Sequence, residues 1–204
     1  MKVLIACEFS GTVRDAFTKK GWDATSCDLL PTETEGKHYQ GNVFDIINDD
    51  WDLMIAHPPC TYLTVTGNKW MKPEFEERFP TRKQDRLDAI DFFMALAIVN
   101  IPKICLENPV GIMSTVWKKP EQYIQPYHFG EPHSKRTGLW LKGLPLLNPT
   151  KTVEPLMYTY KDGRKDPLWH VESLKLPPLE RMKVRSKTFQ GIADAMADQW
   201  GNLT

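Results

Sequence analysis

The feature that most constrains the fold of this chain is an alternation of short apolar runs with segments of helical periodicity. The segment 3–7 is an apolar run of strand length. After it, apolar residues recur at helical spacing at Val13, Ala16 and Phe17. Short buried strands that alternate with helices favour a mainly parallel sheet covered by helices. The sequence therefore predicts an α/β fold in which ligands collect at the carboxyl ends of the strands.

The same alternation continues along the chain. The further predicted strands share an apolar centre, and they cover residues 23–27, 52–56, 103–106 and 137–141. Two more helices are predicted, one over 82–99 and an amphipathic one from Ile192 to Trp200. Between residues 142 and 187 the chain is rich in proline and positive charge and its periodicity fades, so we expect loops there.

Composition limits both the number of domains and the class of partner. A chain of 204 residues that is 41% hydrophobic can bury one substantial core, so a single domain over 1–204 is expected. The formal net charge is zero, which restricts any nucleic-acid contact to a local patch. The basic segment 142–187 is the only stretch with a clear positive excess. Its cations and aromatic residues suit phosphate contact and base stacking, although a solvated charged loop is an equal alternative.

The cysteines and the N-terminus bear on metals, membranes and location. The four cysteines, Cys7, Cys27, Cys60 and Cys105, have no metal-ligand spacing, which argues against a zinc site. The apolar run at the N-terminus is too short for a signal-peptide core or a membrane span. We therefore expect free thiols, no metal, no membrane partner and a cytoplasmic location.

Two polar features follow the first two predicted strands and suit a nucleotide-like cofactor. Phe9-Ser10-Gly11 connects the first strand to a helix, where a glycine permits close backbone approach and helix N–H groups can face a ligand. Asp28 ends the second strand, where an acid can bind a ribose diol. Each feature also has an ordinary interpretation, as a tight connection or as a cap.

The residues best suited to chemistry follow the two later strands. Cys60 comes after two prolines that hold the backbone rigidly, and a held thiol suits nucleophilic attack, although buried inert cysteine is common. Glu107 and Asn108 end the strand predicted over 103–106. A carboxylate there can protonate or bind a heteroaromatic ring, or it can cap the following turn.

In this order, the motifs resemble the cytosine-C5 DNA methyltransferase family, in a compact, phage-like form without a full target-recognition domain. The resemblance implies a Rossmann-like fold that uses S-adenosylmethionine as its methyl donor. The implied substrate is a flipped or single-stranded cytosine in DNA. The resemblance further implies that Cys60 is the covalent nucleophile and that Glu107 protonates N3 of the base, which requires a raised carboxyl pKa in a closed pocket.

The resemblance also assigns binding residues. The cofactor-binding positions it implies are Phe9, Ser10, Gly11, Thr12, Asp28, Asn42, Pro58, Gly191 and Ile192. The substrate-binding positions it implies are Thr61, Thr64, Thr66, Asn108 and Thr137. The segment 142–187 stands where the family has its target-recognition domain, and it is too short for one. We therefore expect low sequence selectivity, or a protein partner that supplies target choice.

The chain departs from the family where a Gln-x-Arg-x-Arg element is expected. Lys135 replaces the first arginine, and Thr137 replaces the second, which in the family holds the base. Lys135 or the adjacent Arg136 is then the candidate for contact with the cytosine carbonyl. Together with His57, these cations are also the candidates for stabilising a Cys60 thiolate.

These departures keep other functions open. Asn42 replaces an adenine-reading acid, and Ile192 stands where an asparagine is common in the family. One alternative is that the same fold serves another pyrimidine substrate, such as a nucleotide, RNA or a modified base. A non-catalytic DNA- or protein-binding module is a further alternative, although it would need neither Cys60 nor Glu107. An amino methyltransferase is the least favoured, because Cys60 occupies the place of its aromatic residue.

Overall fold

Residues 1–203 are described by this structure, a computed structural model. They form a seven-stranded sheet and a separate two-stranded hairpin. The strands of the main sheet are β1 (Lys2–Ala6), β2 (Asp23–Asp28), β3 (His38–Gln40), β4 (Leu53–Ala56), β5 (Lys103–Pro109), β6 (Gln122–Ile124) and β7 (Thr137–Lys142). The hairpin consists of β8 (Met157–Thr159) and β9 (Lys165–Pro167).

The order of strands across the main sheet is β3, β2, β1, β4, β5, β7, β6. Strands β1 to β5 pair in parallel, whereas β7 runs antiparallel to both β5 and β6. The chain order reverses between β1 and β4. In open α/β sheets, ligands bind beyond the carboxyl ends of the strands at such a reversal. The topology confirms the predicted Rossmann-like, mostly parallel fold and directs a ligand to the ends of β1 and β4.

The helices lie between and after these strands. They are α1 (Thr12–Lys19), α2 (Arg82–Ala97), α3 (Met113–Val116), α4 (Leu168–Leu174), α5 (Pro178–Ser186) and α6 (Gln190–Trp200). Short 3₁₀ helices occupy Val43–Asp45, Val65–Met71, Pro73–Phe75 and Pro126–His128. Within residues 1–203, every helix is too short or too polar to cross a membrane.

The core has two parts because successive side chains of a strand point to opposite faces of the sheet. On one face, Val3 and Ile5 of β1 pack with residues of α1 and α6, including the fully buried Trp200. On the other face, Leu4 packs with residues of α2, including Phe93. The two clusters together cover both faces of the sheet.

The expectation of loops over 142–187 is wrong in part, because this segment contains β8, β9, α4 and α5. The prolines there are not helix breakers: Pro178 occupies the first turn of α5, where its missing N–H removes no helical hydrogen bond. Helix α5 has no buried residue, so apolar periodicity is a poor guide to it. Three-residue strands such as β3 and β6 also escaped the sequence prediction because they are too short to show a pattern.

Candidate active site

The carboxyl ends of β1, β2, β4 and β5 meet at one edge of the sheet. Pairing between β1 and β4 extends past the end of β4, since the backbone N–H of His57 donates to the carbonyl of Ala6 (2.9 Å). The register also sets Ala56 of β4 beside Leu106 of β5. The Pro-Pro-Cys turn after β4 and the carboxylate of Glu107 in β5 therefore reach the same edge.

A cavity of about 250 Å³ opens at this edge. Its lining residues are Cys7, Cys27, Asp28, Leu29, Gly41, Asn42, Val43, Pro59 and Phe92. The walls are mainly apolar, with one carboxylate and one amide among them. Asp28 and Asn42 thus lie at the cavity expected for a cofactor. Both also cap turns, since Asp28 Oδ1 accepts from the N–H of Leu30 (2.9 Å) and Asn42 Oδ1 accepts from that of Phe44 (3.1 Å).

Cys7 lines this cavity and also a second, narrow crevice. Cys7 follows β1 with a φ of 58°, a left-handed conformation that costs a residue with a side chain about 1–2 kcal/mol. Phe9 and Ser10 line the crevice together with His57 and Thr188. These two predicted cofactor residues therefore adjoin the cavity that Asp28 lines. Burial raises the pKa of the Cys7 thiol to about 12, so this cysteine is not the nucleophile.

Glu8 changes the expected role of the glycine turn. Gly11 has a φ of 77° and precedes α1, as predicted, and Thr12 is the first residue of that helix. The carboxylate of the buried Glu8, however, accepts hydrogen bonds from the backbone N–H groups of Val13 (2.6 Å) and Arg14 (3.2 Å). An anion is stabilised at a helix N-terminus, and here the chain supplies its own. These N–H groups are therefore not available to a cofactor.

Two predicted cofactor residues lie away from the cavity. Ile192 is 4% exposed and belongs to the core cluster of α1 and α6. Gly191 packs against the backbone of Phe129, where a Cβ would come within 2.0 Å of the carbonyl oxygen. Its N–H donates to Glu131 (2.7 Å). The closing glycine segment therefore docks α6 onto the sheet, and the prediction that Gly191 and Ile192 line the cofactor cavity is not supported by the geometry.

The turn that carries Cys60 is held from both sides. The side-chain amide of Asn108, which is 2% exposed, donates to the carbonyl of Pro58 (2.8 Å). The carbonyl of Cys60 accepts from the N–H groups of Leu63 (3.0 Å) and Thr64 (3.1 Å). Asn108 was expected to bind substrate and Pro58 to bind cofactor. The structure instead joins them to each other, so that β5 positions the turn and the half-buried thiol.

Glu107 is paired with a histidine. His57 Nδ1 lies 2.6 Å from Glu107 Oε2, and the hydroxyl of Thr188 donates to the same oxygen (3.2 Å). Burial raises the pKa of Glu107, but the hydrogen bond and charge of His57 outweigh it and the pKa falls to about 2. Burial lowers the pKa of His57, but the hydrogen bond and charge of Glu107 raise it overall. The expected raised carboxyl pKa is therefore not found, because a cation occupies the pocket beside Glu107.

The three residues of the segment 135–137 make different contacts. Lys135 Nζ donates to the carbonyls of Arg185 (3.0 Å) and Lys187 (3.4 Å), which ties the segment before β7 to the end of α5. Burial raises the pKa of Cys60, and the charge of Lys135 opposes this rise. Arg136 is exposed and stacks 4.1 Å over the ring of Tyr123 instead.

Thr137 does not reach into the site. It is 2% exposed, and its hydroxyl donates to the carbonyl of Lys135 (3.2 Å). The geometry does not support the expected contact between Thr137 and substrate, because the side chain is buried and its hydroxyl is used on the carbonyl of Lys135. By contrast, Thr61 and Thr66 are exposed and Thr64 is half-buried, and the hydroxyls of Thr64 and Thr66 lie 3.0 Å apart. These three threonines are accessible on the segment that follows Cys60.

Similarity to known proteins is weak. No protein-family model and no curated protein matches the sequence. Among solved structures, the chain resembles one described as a DNA modification methyltransferase encoded within a prophage of E. coli, at 15% identity and a TM-score of 0.47, over 87% of this chain and 56% of that chain. It also resembles the Dnmt2 methyltransferase of S. pombe, at 17% identity and a TM-score of 0.43, over 72% and 50% respectively. The chain spans about half the length of these proteins.

The contacts of three residues of the site, Glu8, His57 and Thr188, were not predicted from the sequence. Glu8 follows β1 directly, and an acid two residues before a Ser-Gly turn is a signal for a helix cap. His57 was considered only as a partner for the thiolate, whereas its contact is with Glu107. Thr188 lies 81 residues from Glu107, and no local pattern links them. Within residues 1–203, no three histidine, cysteine, aspartate or glutamate side chains are grouped as metal ligands would be.

Proposed function

We propose that this chain transfers a methyl group from S-adenosylmethionine to C5 of cytosine in DNA through a covalent adduct with Cys60. One observation carries the proposal: a half-buried thiol on a held turn and a buried carboxylate lie at the ends of adjacent strands, beside a cavity with a carboxylate on its wall. This reaction needs a nucleophile, a group that can donate or accept a proton, and a cofactor cavity.

The residues around the cavity fit the proposed cofactor. Leu29, Val43 and Phe92 offer apolar and aromatic surface to an adenine ring, and Asp28 offers a carboxylate to a ribose diol. S-adenosylmethionine, when bound, supplies an electrophilic methyl group. Pro59 lines the cavity and is the residue before Cys60, so cofactor and nucleophile would lie on the two sides of one turn.

Cys60 is proposed to add to C6 of cytosine, which makes the otherwise unreactive C5 electron-rich. The thiolate is the reactive form, and burial disfavours it by raising the pKa of Cys60. Lys135 and Arg185 counteract this effect of burial, because their positive charges lower the pKa of the Cys60 thiol. We infer that these two cations serve thiolate formation, whereas the stacked position of Arg136 gives it no such role.

The His57–Glu107 pair is proposed to supply the proton for N3 of the base. The low pKa of Glu107 and the raised pKa of His57 keep the proton of the pair on His57 near neutral pH. As the thiolate adds, His57 Nδ1 passes its proton to Glu107, which in turn protonates N3. The ring charge created by the addition is thereby neutralised. Once C5 carries the methyl group, a base takes the C5 proton, Cys60 leaves as the thiolate, and the N3 proton returns through Glu107 to His57.

The substrate base must be flipped out or already single-stranded, because Cys60 cannot reach C6 inside a duplex. The segment 142–187 is proposed to contact the strand in place of a target-recognition domain within a single-domain enzyme. It has ten lysines and arginines against five acidic residues. Ser186, the last residue of its helix α5, lines the crevice beside His57, so the basic segment reaches the site. A protein partner would supply target choice.

Mechanism-based trapping tests the proposal. The protein is incubated with cofactor and a DNA strand that contains 5-fluorocytosine, whose fluorine blocks the final elimination. A covalent adduct that peptide mass spectrometry maps to Cys60 is the expected result, and Cys60→Ser should abolish it. Cys105→Ala is the matched control, because Cys105 is buried within β5 and away from the cavity. Absence of an adduct with the wild-type protein and cofactor would refute the proposal.

A second candidate is the same reaction on another pyrimidine substrate, such as RNA, a free nucleotide or a modified base. The buried side chain of Thr137 favours it, because no arginine of β7 holds the base. Labelled cofactor offered with duplex DNA, single strands, RNA and nucleotides distinguishes the two. Exclusive labelling of nucleotides or RNA would favour this candidate. Cofactor binding without labelling of any substrate would favour a non-catalytic binding module.

A further inference from the structure

Glu8 is a buried carboxylate that has no role in the reaction described above. It lies between β1 and α1 and is 5% exposed. Its Oε1 accepts from the backbone N–H of Val13 (2.6 Å), and its Oε2 accepts from that of Arg14 (3.2 Å). Two such donors at a helix N-terminus favour the charged form of a carboxylate. Burial raises the pKa of Glu8, and the charge of His57 acts against this rise. Glu8 and His57 therefore interact as opposite charges.

The ring of His57 has one nitrogen whose partner is in place and one that needs a partner. Nδ1 lies 2.6 Å from Glu107 Oε2. Nε2 is buried, and it has no hydrogen-bond partner among the residues that the structure describes. The side chain is only 9% exposed, so bulk water does not reach this nitrogen freely. A charged imidazole carries a proton on both nitrogens, and a buried N–H without a partner is destabilising. A partner for Nε2 is therefore expected close to the ring.

The narrow crevice that His57 lines can hold this partner. Glu8 lines the same crevice, together with Ser10 and Thr188. Its volume of about 10 Å³ suits a single water molecule and no larger ligand. A buried water usually makes about three hydrogen bonds to protein groups. Oε2 of Glu8 can accept a second hydrogen bond, and Ser10 offers a hydroxyl. The walls of the crevice thus supply the partners that such a water needs.

Charged groups from three parts of the chain act on His57. Burial lowers the pKa of His57, whereas Glu107 in β5 and then Glu8 raise it through their negative charges. Lys135, which lies just before β7, lowers it. The two carboxylates outweigh burial and the lysine, so the pKa of His57 is raised overall. Glu8 therefore favours the charged imidazole in addition to Glu107.

We propose that one water molecule in the crevice accepts a hydrogen bond from His57 Nε2 and donates one to the Glu8 carboxylate. His57 then lies between two carboxylates, with Glu107 at Nδ1 and Glu8, through the water, at Nε2. Glu8 is a positioning residue, because it acts on the imidazole without touching the reacting base. The inference rests on the proposed function in taking His57 as the source of the N3 proton.

This arrangement determines which proton of His57 moves. When the thiolate adds, the Nδ1 proton passes to Glu107 and on to N3, and the ring becomes neutral with its remaining proton on Nε2. The hydrogen bond to the water keeps that proton in place, since the partner of one imidazole nitrogen sets which nitrogen is protonated. Nδ1 then has a lone pair that takes the proton back through Glu107 at the end of the reaction. His57 is thereby restored without a net gain or loss of protons.

A crystal structure of the wild-type protein and nitrogen-15 NMR of its histidine rings test this inference. The crystal structure should show an ordered water about 3 Å from both His57 Nε2 and a carboxylate oxygen of Glu8. The NMR titration follows the charge of each imidazole, and His57→Gln identifies the signal of His57 among the five histidines. In Glu8→Gln, the pH at which His57 loses its charge should be lower than in the wild type, because one of the two negative charges beside the ring is removed.

Asp15→Asn is the matched control. Asp15 is also an acid near the start of α1, but it is paired with Arg14 (2.8 Å) and lies outside the lining of the crevice. Its substitution should leave the titration of His57 unchanged. The inference is overturned if Glu8→Gln does not move that titration, if Asp15→Asn moves it equally, or if the crystal structure shows no water bonded to Nε2. The crystal structure needs no variant, so it decides the question even if Glu8→Gln does not fold.

Trapping with 5-fluorocytosine is read separately. An adduct on Cys60 without the water, or without the change in the titration of His57, contradicts only the present inference. The water and the changed titration without an adduct contradict only the proposed reaction.

Discussion

His57 Nδ1 and Glu107 Oε2 lie 2.6 Å apart, across the ends of the neighbouring strands β4 and β5. The two side chains are 9% and 11% exposed, so their charges are largely removed from water. Two buried charges are tolerated when each compensates the other. Thr188, just before α6, completes the group by donating to Glu107 (3.2 Å). This contact joins the Pro-Pro-Cys turn, the central sheet and the C-terminal helix at one point.

Removing His57 alone should be strongly destabilising. His57→Leu leaves the Glu107 carboxylate buried without its charged partner, at an expected cost of about 3–5 kcal/mol in the free energy of unfolding. The double variant His57→Leu, Glu107→Leu should cost much less than the sum of the two single variants, because it leaves no charge unpaired. Urea denaturation measures all three. The exposed pair of Lys83 and Glu76 is the control, and its removal should cost at most about 1 kcal/mol. Additive costs at His57 and Glu107 would contradict the pairing.

The same pair predicts how stability depends on pH. The lowered pKa of Glu107 contributes stability above the ordinary glutamate pKa of 4.5, and this contribution is lost as the pH falls toward about 2. The raised pKa of His57 contributes stability below the ordinary histidine pKa of 6.5, and this is lost as the pH rises through the raised pKa. The difference in unfolding free energy between wild type and His57→Gln should therefore be largest between these ordinary values. A difference that grows above pH ~8 in urea titrations would have the wrong sign.

Alkylation of Cys60 separates the roles of Lys135 and Arg136. The charge of Lys135 lowers the pKa of the Cys60 thiol, so Lys135→Gln should slow its reaction with iodoacetamide severalfold near neutral pH. Arg136→Gln should leave the rate unchanged, because Arg136 stacks on Tyr123. Mass spectrometry of the Cys60 peptide measures the rate. Equal slowing by both substitutions would indicate a general effect of net charge instead.

Asp28 should contribute to cofactor affinity. It lines the cavity, and a hydrogen bond from a ligand to a carboxylate contributes about 1.5–3 kcal/mol, so Asp28→Ala should weaken binding of S-adenosylhomocysteine about tenfold or more. Isothermal titration calorimetry provides the measurement. Asp23→Ala is the control, because Asp23 lies on the same strand and is exposed in an ion pair with Lys37. Similar weakening in both variants would argue against a ligand at this cavity.

Ile192 should matter for stability and not for cofactor binding. It is 4% exposed in the core between α1 and α6, so Ile192→Ala should lower the free energy of unfolding by about 2–5 kcal/mol. Its affinity for S-adenosylhomocysteine should match that of the wild type at a temperature where both are folded. Weaker binding without loss of stability would support the prediction that Ile192 contacts the cofactor.

Much of the fold could be predicted from the sequence because its strongest signals are local. The buried strands β1 and β4 are continuous apolar runs. Asp28 is the last residue of β2, and Cys60 follows β4 closely in the chain. Parallel strands bring their carboxyl ends to one edge, so local order alone placed these groups together. Helix α5 was missed because it buries no side chain and begins with a proline.

The pairing of charges could not be predicted in the same way. Arg14 lies in α1 and is 0% exposed, with its guanidinium hydrogen-bonded to Ser26 (3.1 Å) and to Thr34 and Glu35 of a later loop. Nothing in its sequence neighbourhood distinguishes this arginine from a solvated one. Its ion pair with the adjacent Asp15 (2.8 Å) is local, but the hydrogen bonds that allow it to be buried come from groups distant in the chain, and only folding brings them near.

The sequence by itself determined the sheet, the held thiol of Cys60 and the edge at which Glu107 lies. Only the tertiary structure decided that His57 compensates Glu107, that Glu8 occupies the N-terminus of α1 and that Thr137 turns inward. Strand formation follows from apolar periodicity, which is a property of consecutive residues. A pKa follows instead from burial and from the charges within a few ångströms, and these are properties of the folded chain.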